Sequence, residues 1–507
     1  MSGYNRVRVI ESAEEKDEFA YLDDFVFASP AEDLSGIKLN DGRLNNRLQK
    51  LLEDITYDPS GSILASSSDG RTGAKAAYRL LSNERFDAEL VKEEAYAGTV
   101  ERINFFKEYE PILAIQDLTE VNYNTHKKTI ELGYCNQYSL GIRLHSCIAV
   151  TASGIPLGVL HQDAYTRLEK KDNTPVVEKQ VMPIEEKESY RWIETLAHGS
   201  KIVPSDVDIL YVADREADFY EYIAFAVQNA LKILVRMKYD RNIPSEEDNE
   251  SLVKIKTLIK SFEIAGSVDV DIPRDSRNNV KARTASLDIS YGKATIPKPV
   301  YRTEEHLASS VEVNIIYVNE PNPEEGIEPI EWYLITLTEI DSFEKALEYV
   351  GYYTKRWIIE RFHYVLKSGC NVEKLQERTY KKLRVALFLY SMVAIYLMVM
   401  TYLGRVHPNL SCEALFDEFE WKLLQSISRK EITEEAPTIS EAIMLIARLG
   451  GFAGAPSDGF PGAKVIWRGY GKLQFAVDII PLTWNSTNQL AESHSSNGSR
   501  KTKKKKE

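Results

Sequence analysis

The stretch VDILYVADREAD, residues 207–218, decides the fold class, because an apolar run of strand length stops at Asp214 and a charged segment follows. The stretch PILAIQD, residues 111–117, has the same form and stops at Asp117. A helical pattern at 187–198 separates the two runs, and this alternation predicts an α/β sheet. Ligands of such sheets bind beyond the strand ends, so both aspartates are candidate site residues. Asp214 also suits the N-cap of a following helix, which is the simpler interpretation.

The composition is that of a globular protein with about two to four domains. The chain has 507 residues, of which 43% are hydrophobic and 27% charged, and a formal net charge of -13. That charge argues against a nucleic-acid partner when taken as an average. Its distribution is uneven, since residues 11–33 are strongly acidic and residues 500–507 form a basic tail. Both ends have the composition of disordered segments.

The cysteines and the amino terminus bear on the compartment. The four cysteines lack CxxC spacing, so we expect a reducing environment. The first residues lack the apolar core of a secretion signal, so we expect a cytoplasmic protein. The apolar run at 385–403 is long enough to cross a membrane, but it continues a helical pattern and contains Tyr, Ser and Thr. We therefore expect a buried core helix there.

The segments between these landmarks differ in predicted structure. Residues 36–105 read as helices with a local excess of Arg and Lys, which fits either a small DNA-binding unit or a helical bundle with ordinary surface cations. Residues 229–340 read mostly as strands. A helical pattern returns at 343 and is predicted to persist to about 404, and further helices follow before residue 475.

The stretch YTKRWIIERFHYVLK, residues 353–367, places one carboxylate among cations and aromatic residues. At 3.6 residues per turn, Tyr353, Arg356, Glu360 and Lys367 fall on nearly one stripe of a helix. The simpler interpretation is a solvated helix face with an i,i+4 ion pair between Arg356 and Glu360. The alternative is a site. Asp117, Asp214 and Glu360 would then supply hard oxygen ligands, which suit Mg²⁺ or Mn²⁺, and the chain has no His/Cys cluster for zinc.

Three segments resemble the DDE transposases of the insertion-sequence-four family. These are AIQD (114–117), VADREAD (212–218) and YTKRWIIERFHYVLKSG (353–369), the last of which has the family signature Y-x2-R-x3-E-x6-K in full. The resemblance implies a ribonuclease-H-like core interrupted by a β-rich insertion, with helical N-terminal and C-terminal domains. The implied regions are an acidic lead (1–33), a helical DNA-binding domain (34–105), two core parts (106–228 and 330–405), the insertion (229–329), a helical dimerisation region (406–475) and a flexible basic tail (476–507).

The resemblance also implies roles for individual residues. Asp117, Asp214 and Glu360 would bind two Mg²⁺ ions, with Mn²⁺ as a possible substitute, while Tyr353, Arg356 and Lys367 would hold DNA phosphates near the cleaved bond. Trp332 is expected either to stack on a flipped base or to fill the core, and Arg215 either to contact phosphate or to neutralise neighbouring carboxylates. Further DNA contacts are expected from residues of the helical domain, namely Arg43, Arg47, Lys75 and Arg79.

The implied activity is cut-and-paste transposition. The enzyme would act as a homodimer on double-stranded DNA, cleave the transposon ends through a DNA hairpin and join the freed 3′ ends to target DNA. A cytoplasmic enzyme of this kind would be associated with the bacterial nucleoid when it binds DNA. Two alternatives remain at the level of sequence: a structure-selective nuclease that does not join DNA, and a non-enzymatic DNA-binding regulator derived from a transposase. We favour the enzyme, because all three carboxylates and the full signature are present.

Overall fold

A large mixed β-sheet carries both candidate aspartates. The computed structural model describes residues 8–9, 22, 25–59, 62–170, 174–245, 251–272, 281–455, 458–477 and 479–480. The strands of these residues are, in chain order, β1 (Arg8–Val9), β2 (Ile112–Asn122), β3 (Gly141–Thr151), β4 (Pro156–Tyr165), β5 (Ile209–Ala213), β6 (Lys232–Arg236), β7 (Asn242–Pro244), β8 (Leu252–Lys254), β9 (Ile264–Ile272), β10 (Arg283–Pro297), β11 (Ser310–Asn319) and β12 (Glu331–Thr336).

Ten of the strands form one sheet in the order β1-β9-β10-β11-β12-β6-β5-β2-β3-β4, while β7 and β8 form a separate pair. The strands β2, β3 and β4 are antiparallel neighbours, whereas β5 runs parallel to both β2 and β6. The region predicted as β-rich adds β9 to β12 to the same sheet, because β12 pairs antiparallel with β6. The predicted α/β class is therefore confirmed, with a large mixed sheet and helices toward both ends of the sequence.

The helices begin at residues that suit helix starts. Asp41, Asp87 and Ser342 accept hydrogen bonds from backbone amides in the first turns of their helices, and so satisfy amides that lack helical partners. The helices are α1 (Pro30–Asp33), α2 (Gly42–Tyr57), α3 (Ile63–Ser66), α4 (Gly70–Leu81), α5 (Ala88–Phe106), α6 (Val176–Val181), α7 (Tyr190–Ile202), α8 (Tyr220–Gln228), α9 (Ile255–Lys260), α10 (Phe343–Lys355), α11 (Trp357–Tyr364), α12 (Tyr380–Val406), α13 (Glu418–Ile427), α14 (Ile439–Leu449) and α15 (463–477).

The chain divides into two compact units. One contains residues 84–368 and 372–395 together with β1, so it holds the ten-stranded sheet, α10 and α11. The other contains residues 16–83, 369–371 and 396–507, and its described helices include α1 to α4, α13 and α14. The predicted acidic lead and basic tail lie largely outside the described residues, although α1 lies at the end of the segment predicted to be disordered.

The helix predicted from 343 to about 404 is interrupted, so that prediction was wrong in detail. The helix α10 ends at Lys355, and α11 begins at Trp357 after one turn residue, Arg356. Residues 365–369 form a π-helical turn, and Asn371 has φ 50°, a left-handed conformation that ends the helical path before α12. The polar stripe of the signature is therefore assembled from two α-helices and a π turn.

Asp117 lies inside a strand, so the expectation that it ends one was also wrong. The strand β2 continues to Asn122, because residues beyond Asp117 still pair with β3, with Asp117 opposite Ser146. The parallel pairing with β5 does stop beside Asp117, at Gln116 opposite Ala213. Asp117 therefore lies at the end of the parallel ladder although its own strand runs on.

The apolar run at 385–403 lies within α12. Among the helices of the described residues, only α12 is long and apolar enough to cross a membrane. Of its most apolar 18-residue segment, 89% is buried inside the structure. The run fills the protein interior, as the sequence pattern predicts for a core helix.

Candidate active site

Three neighbouring strands, β6, β5 and β2, place polar residues in a row across the sheet. Gln116 pairs with Ala213, and Ala213 with Val235, so Asp117, Asp214 and Arg236 each lie one residue beyond this row. Since neighbouring strands in register put corresponding residues side by side, Asp214 lies between Asp117 and Arg236. The row thus joins two carboxylates and a guanidinium at the end of the parallel ladder.

The helix α11 and Arg356, the residue before it, bring Glu360 and two basic side chains to this row. The Arg356 guanidinium forms an ion pair with Glu360, and its Nη1 lies 3.8 Å from Asp117 Oδ2. His363 Nδ1 lies 3.9 Å from the same Asp117 oxygen. Arg356 and His363 are both buried, whereas Glu360 is partly exposed. The structure therefore places two of the predicted carboxylates at different nitrogens of one guanidinium.

Asp117 is a carboxyl group that resists ionisation. Burial raises its pKa, and repulsion from Asp214 raises it further, to about 8. Arg356 and the backbone amide of Leu118, which donates to Asp117 Oδ1 at 2.8 Å, oppose that rise, while Glu360 adds to it. Because the repulsive partners are the other two predicted ligands, the three carboxylates interact electrostatically as one group.

The basic side chains around the carboxylates have different charge states. Burial lowers the pKa of His363 to about 3, and the nearby Lys367 and Arg356 lower it further, so His363 is neutral at physiological pH. Burial also lowers the pKa of Lys367, an effect that Glu373, Glu120 and Asp117 oppose. For Arg356, burial alone would lower the pKa, but Tyr353, Asp117 and Glu360 raise it above its ordinary value. Arg356 is thus a firmly held positive charge.

An aromatic corner lies next to Arg236. Trp332 is 2% exposed on β12 and packs edge-on against Tyr353 of α10, with 5.4 Å between ring centroids. The Arg236 guanidinium carbon lies 5.9 Å from the centroid of the Trp332 ring, and its Nη2 donates to the Glu331 carbonyl oxygen at 3.2 Å. Burial raises the pKa of Tyr353, although the charges of Arg356 and Arg236 oppose this. In this state the indole fills the core, so a base could stack on it only after a local rearrangement.

Asp214 and Arg215 begin the chain segment after β5. Asp214 Oδ1 accepts a hydrogen bond from the Glu216 amide at 2.8 Å and so caps the short 3-10 helix Arg215–Ala217. Asp214 therefore caps this helix, as the simpler interpretation of the sequence predicts. The same position also places Asp214 beside Asp117. The Arg215 side chain is exposed next to the carboxylates, where it can meet a phosphate.

The cations predicted for the helical domain lie on two helices of the second unit. Arg43 and Arg47 lie on α2, and Lys75 and Arg79 lie on α4. Arg43, Lys75 and Arg79 are exposed and Arg47 is half-buried. Their roles in DNA contact stay predictions.

Sequence reasoning missed Arg236 and His363. Arg236 ends the apolar run ILVR, so it carried the same signal that singled out the aspartates, a polar side chain at a strand end. His363 follows Glu360 by three residues and therefore shares its helix face.

The three carboxylates fit a hard divalent cation in their chemistry. Their oxygens are the ligand type that Mg²⁺ and Mn²⁺ prefer, and a cation would relieve the repulsion that raises the pKa of Asp117. Among the residues that the structure describes, no three His, Cys, Asp or Glu side chains are gathered closely enough to hold a metal ion. Glu360 is instead paired with Arg356, so cation binding requires Glu360 to leave that partner.

Three family models match parts of the chain. A "Transposase DNA-binding" model matches residues 30–86, a "Transposase DDE domain" model matches 190–397, and a "Transposase Tn5 dimerisation domain" model matches 392–483. The DDE match contains Asp214 and Glu360, whereas Asp117 precedes it. Among solved structures, a cryo-EM structure of the piggyBac transposase synaptic complex with hairpin DNA matches with 9% identity and a TM-score of 0.32, over 88% of this chain and 84% of that chain.

Proposed function

We propose that this chain, which carries the DNA-binding, DDE and dimerisation domains of a transposase, is a cut-and-paste DNA transposase of the insertion-sequence-four family. It would bind the inverted ends of its element, cleave them through a DNA hairpin and join the 3′ ends to target DNA. A DDE domain implies a metal-dependent nuclease or transposase activity, and such domains generally use Mg²⁺ or Mn²⁺. The observation that carries the proposal is the meeting of Asp117 and Glu360 at Arg356, with Asp214 beside Asp117.

The topology around the aspartates supports a ribonuclease-H-like core. The strands β4, β3 and β2 are antiparallel neighbours, and β5 and β6 follow β2 in parallel, giving the order β4-β3-β2-β5-β6. This arrangement puts the first and fourth strands side by side, and these are the strands that present Asp117 and Asp214. The helix that carries Glu360 completes the triad from a distant part of the sequence.

Asp117, Asp214 and Glu360 would hold the metal ions, two per site in our proposal. A divalent cation bound there would activate the attacking oxygen and neutralise charge on the leaving oxygen. The neutral, buried His363 beside Asp117 adds no positive charge that would compete with a cation. Asp117 must lose its proton before it can act as a ligand, and its raised pKa makes that loss pH-dependent.

The cations around the triad would hold the DNA backbone. Arg356, Lys367 and Arg236 flank the carboxylates, and the exposed Arg215 borders them. Guanidinium groups suit phosphate because two N–H donors can bind two of its oxygens at once. Tyr353 lies against Trp332 and close to Arg236 and Arg356, so its hydroxyl can share the same phosphate. This set would position the scissile phosphate against the metal site.

Trp332 would receive a base flipped from the hairpin. Stacking on an indole face offsets part of the cost of unstacking a base. Because Trp332 is buried against Tyr353, the transfer would need Tyr353 and the indole to separate. DNA binding to Tyr353 and Arg236 supplies a physical reason for that movement.

The test uses DNA that carries the inverted ends flanking the chain's own gene. Wild-type protein, Glu360→Gln and the control Glu344→Gln are incubated with Mg²⁺ and this DNA. Glu344 is an exposed carboxylate in the first turn of α10, so its loss matches the charge change outside the site. We expect hairpins and joined products from wild type and Glu344→Gln, and bound but uncut DNA with Glu360→Gln.

Two other outcomes would each support one of the alternative functions. Cleavage without joined products would replace the proposal by a nuclease. Binding of the ends without cleavage by any of the three proteins would replace it by a DNA-binding regulator.

A further inference from the structure

Two segments distant in sequence are joined beside the candidate site. The Ile130 amide donates to the Arg378 carbonyl oxygen at 2.9 Å, and the Tyr380 amide donates to the Ile130 carbonyl oxygen at 3.0 Å. The Thr129 hydroxyl also donates to the Glu377 carbonyl oxygen at 2.9 Å. The loop between β2 and β3 is therefore fixed to the segment that leads into α12.

The joined segments form a basic surface. Its cations are Lys127, Lys128, Lys374, Arg378, Lys381 and Lys382, of which the first five are exposed and Lys382 is half-buried. Among the described residues, none of these six takes part in an ion pair, whereas Lys232 and Lys293 elsewhere on the same unit are paired with carboxylates. The charges of these six cations are therefore not held in ion pairs with the side chains that the structure describes.

The carboxylates of these segments do little to cancel that charge. Glu377 is 4% exposed, and the half-buried Glu373 accepts a hydrogen bond from the Asn122 amide at 2.9 Å. Glu131 is exposed next to Ile130. The chain as a whole has a net charge of -13. The basic surface, with six cations and one fully exposed carboxylate, is by contrast locally positive. Such a local field favours a polyanion.

The basic surface is continuous with the candidate site. Glu373 contacts Asn122, the last residue of β2, and Asp117 lies five residues earlier on the same strand. At about 3.3 Å per residue, this separation is roughly 17 Å, or about five base pairs along a duplex. Lys367 interacts electrostatically with both Asp117 and Glu373 and so bridges the two regions. One DNA duplex can therefore reach both.

We propose that the basic surface binds the phosphate backbone of the transposon-end duplex whose terminus occupies the active site. This inference rests on the proposed function. Continuity through Lys367 selects the end duplex as occupant, because the same DNA already contacts Lys367 at the scissile bond. Exposed lysines contact phosphates without reading sequence, so the surface supplies affinity and orientation and leaves sequence choice to the helical domain.

The test compares the salt dependence of DNA binding by three proteins. The variant is the triple change Lys127→Gln, Lys128→Gln and Arg378→Gln. The control is Lys232→Gln, Lys254→Gln and Lys293→Gln, which removes three exposed cations from elsewhere on the same unit. Each protein is titrated with end duplex between about 50 and 200 mM salt, where phosphate contacts dominate the change in affinity.

We expect the variant to bind the end duplex more weakly and with a shallower salt dependence. Loss of three phosphate contacts lowers the slope of log affinity against log salt by about 2.7, at about 0.9 per contact, while the control keeps the wild-type slope. An unchanged slope for the variant overturns the proposal. The variant could instead bind the end duplex as wild type does, while its preformed end complex captures target DNA more weakly. That outcome also overturns the proposal and means that the basic surface binds target DNA.

An unrelated duplex separates this proposal from the proposed function. If wild type shows no preference for the end sequence, the proposed function fails. The unrelated duplex still tests the basic surface. If these cations contact phosphates, the variant must lose salt-dependent affinity for any duplex.

Discussion

Arg356 pairs with Glu360 and also lies 3.8 Å from Asp117, so one guanidinium is shared by two of the three carboxylates proposed to bind metal. A phosphate and a metal ion would each change this arrangement. A phosphate offers Arg356 a bidentate partner, and a departing Arg356 frees Glu360 for a cation. DNA binding and metal binding are therefore expected to favour one another at this site.

Removal of the Arg356 charge should strengthen metal binding in the absence of DNA. We expect Arg356→Gln to bind Mn²⁺ roughly tenfold or more tightly than wild type, because a unit charge about 4 Å away contributes up to ~4 kcal/mol at an effective dielectric of about 20. The electron paramagnetic resonance signal of free Mn²⁺ measures this affinity directly. Arg361→Gln is the matched control, since Arg361 lies on α11, which Arg356 precedes, and packs against the Tyr364 ring. Equal affinities in wild type and Arg356→Gln would contradict the competition.

The raised pKa of Asp117 predicts a pH-dependent stability. Its pKa is about 8 in the folded protein against an ordinary 3.8, so the folded state binds more protons between these values. Stability from this group is fully present below about pH 3.8 and is lost as the pH rises toward 8. The variant Asp117→Asn cannot acquire this charge. Its unfolding free energy should therefore exceed that of wild type by more at pH 8.5 than at pH 5.5.

Urea unfolding without metal measures the effect of Asp117→Asn. A shift of one pKa unit corresponds to about 1.4 kcal/mol, and we expect a gain of at least that size at the higher pH. Asp341→Asn, at an exposed position, is the control and should show no such trend. The same gain at both pH values would mean that ionisation of Asp117 is not the cause.

The parts of the site that sequence predicted are those with local signals. The apolar run before Asp214 identified β5, and helical spacing put Arg356 and Glu360 one turn apart. Arg236 could not be assigned to the site, because its place beside Asp214 depends on which strands neighbour each other. The continuation of β2 past Asp117 likewise depends on pairing with β3, a long-range contact. The left-handed Asn371 stopped a helix whose apolar pattern continued.

A pair of half-buried histidines, His161 and His198, predicts loss of stability in acid. Burial and the neighbouring His198 lower the pKa of His161 to about 4, although Asp163 opposes the shift. The His161 ring lies 4.8 Å from the His198 ring and 6.5 Å from that of Tyr96, between centroids. A lowered pKa means that the unfolded chain binds protons first, so stability is complete above about pH 6.5 and falls toward pH 4.

His161→Phe tests this prediction because it keeps an aromatic ring and removes the titrating group. Between pH 7 and pH 5, wild type should lose about 1–2 kcal/mol more unfolding free energy than the variant. Urea unfolding at the two pH values provides the comparison, with His306→Phe as a control outside this pair. Parallel losses in wild type and His161→Phe would show that other groups cause the acid sensitivity.

The second unit contains a helix contact that only glycine permits. A Cβ on Gly469 of α15 would lie 1.7 Å from the carbonyl oxygen of Ile446 in α14, and one on Gly450 would lie 1.8 Å from the carbonyl oxygen of Val465. These glycines lie within the region that matches the dimerisation domain. The two helix backbones touch here, and an added methyl group forces them apart.

We expect Gly469→Ala to lower the unfolding free energy by about 1–3 kcal/mol or more, the usual cost of overpacking. Gly462→Ala is the matched control, because a Cβ there has no heavy atom within 4 Å. Thermal unfolding measures the difference, and the DNA cleavage proposed for the other unit reports whether the damage stays local. A Gly469→Ala protein as stable as Gly462→Ala would show that the two helices can separate without cost, and the close contact would then have no structural importance.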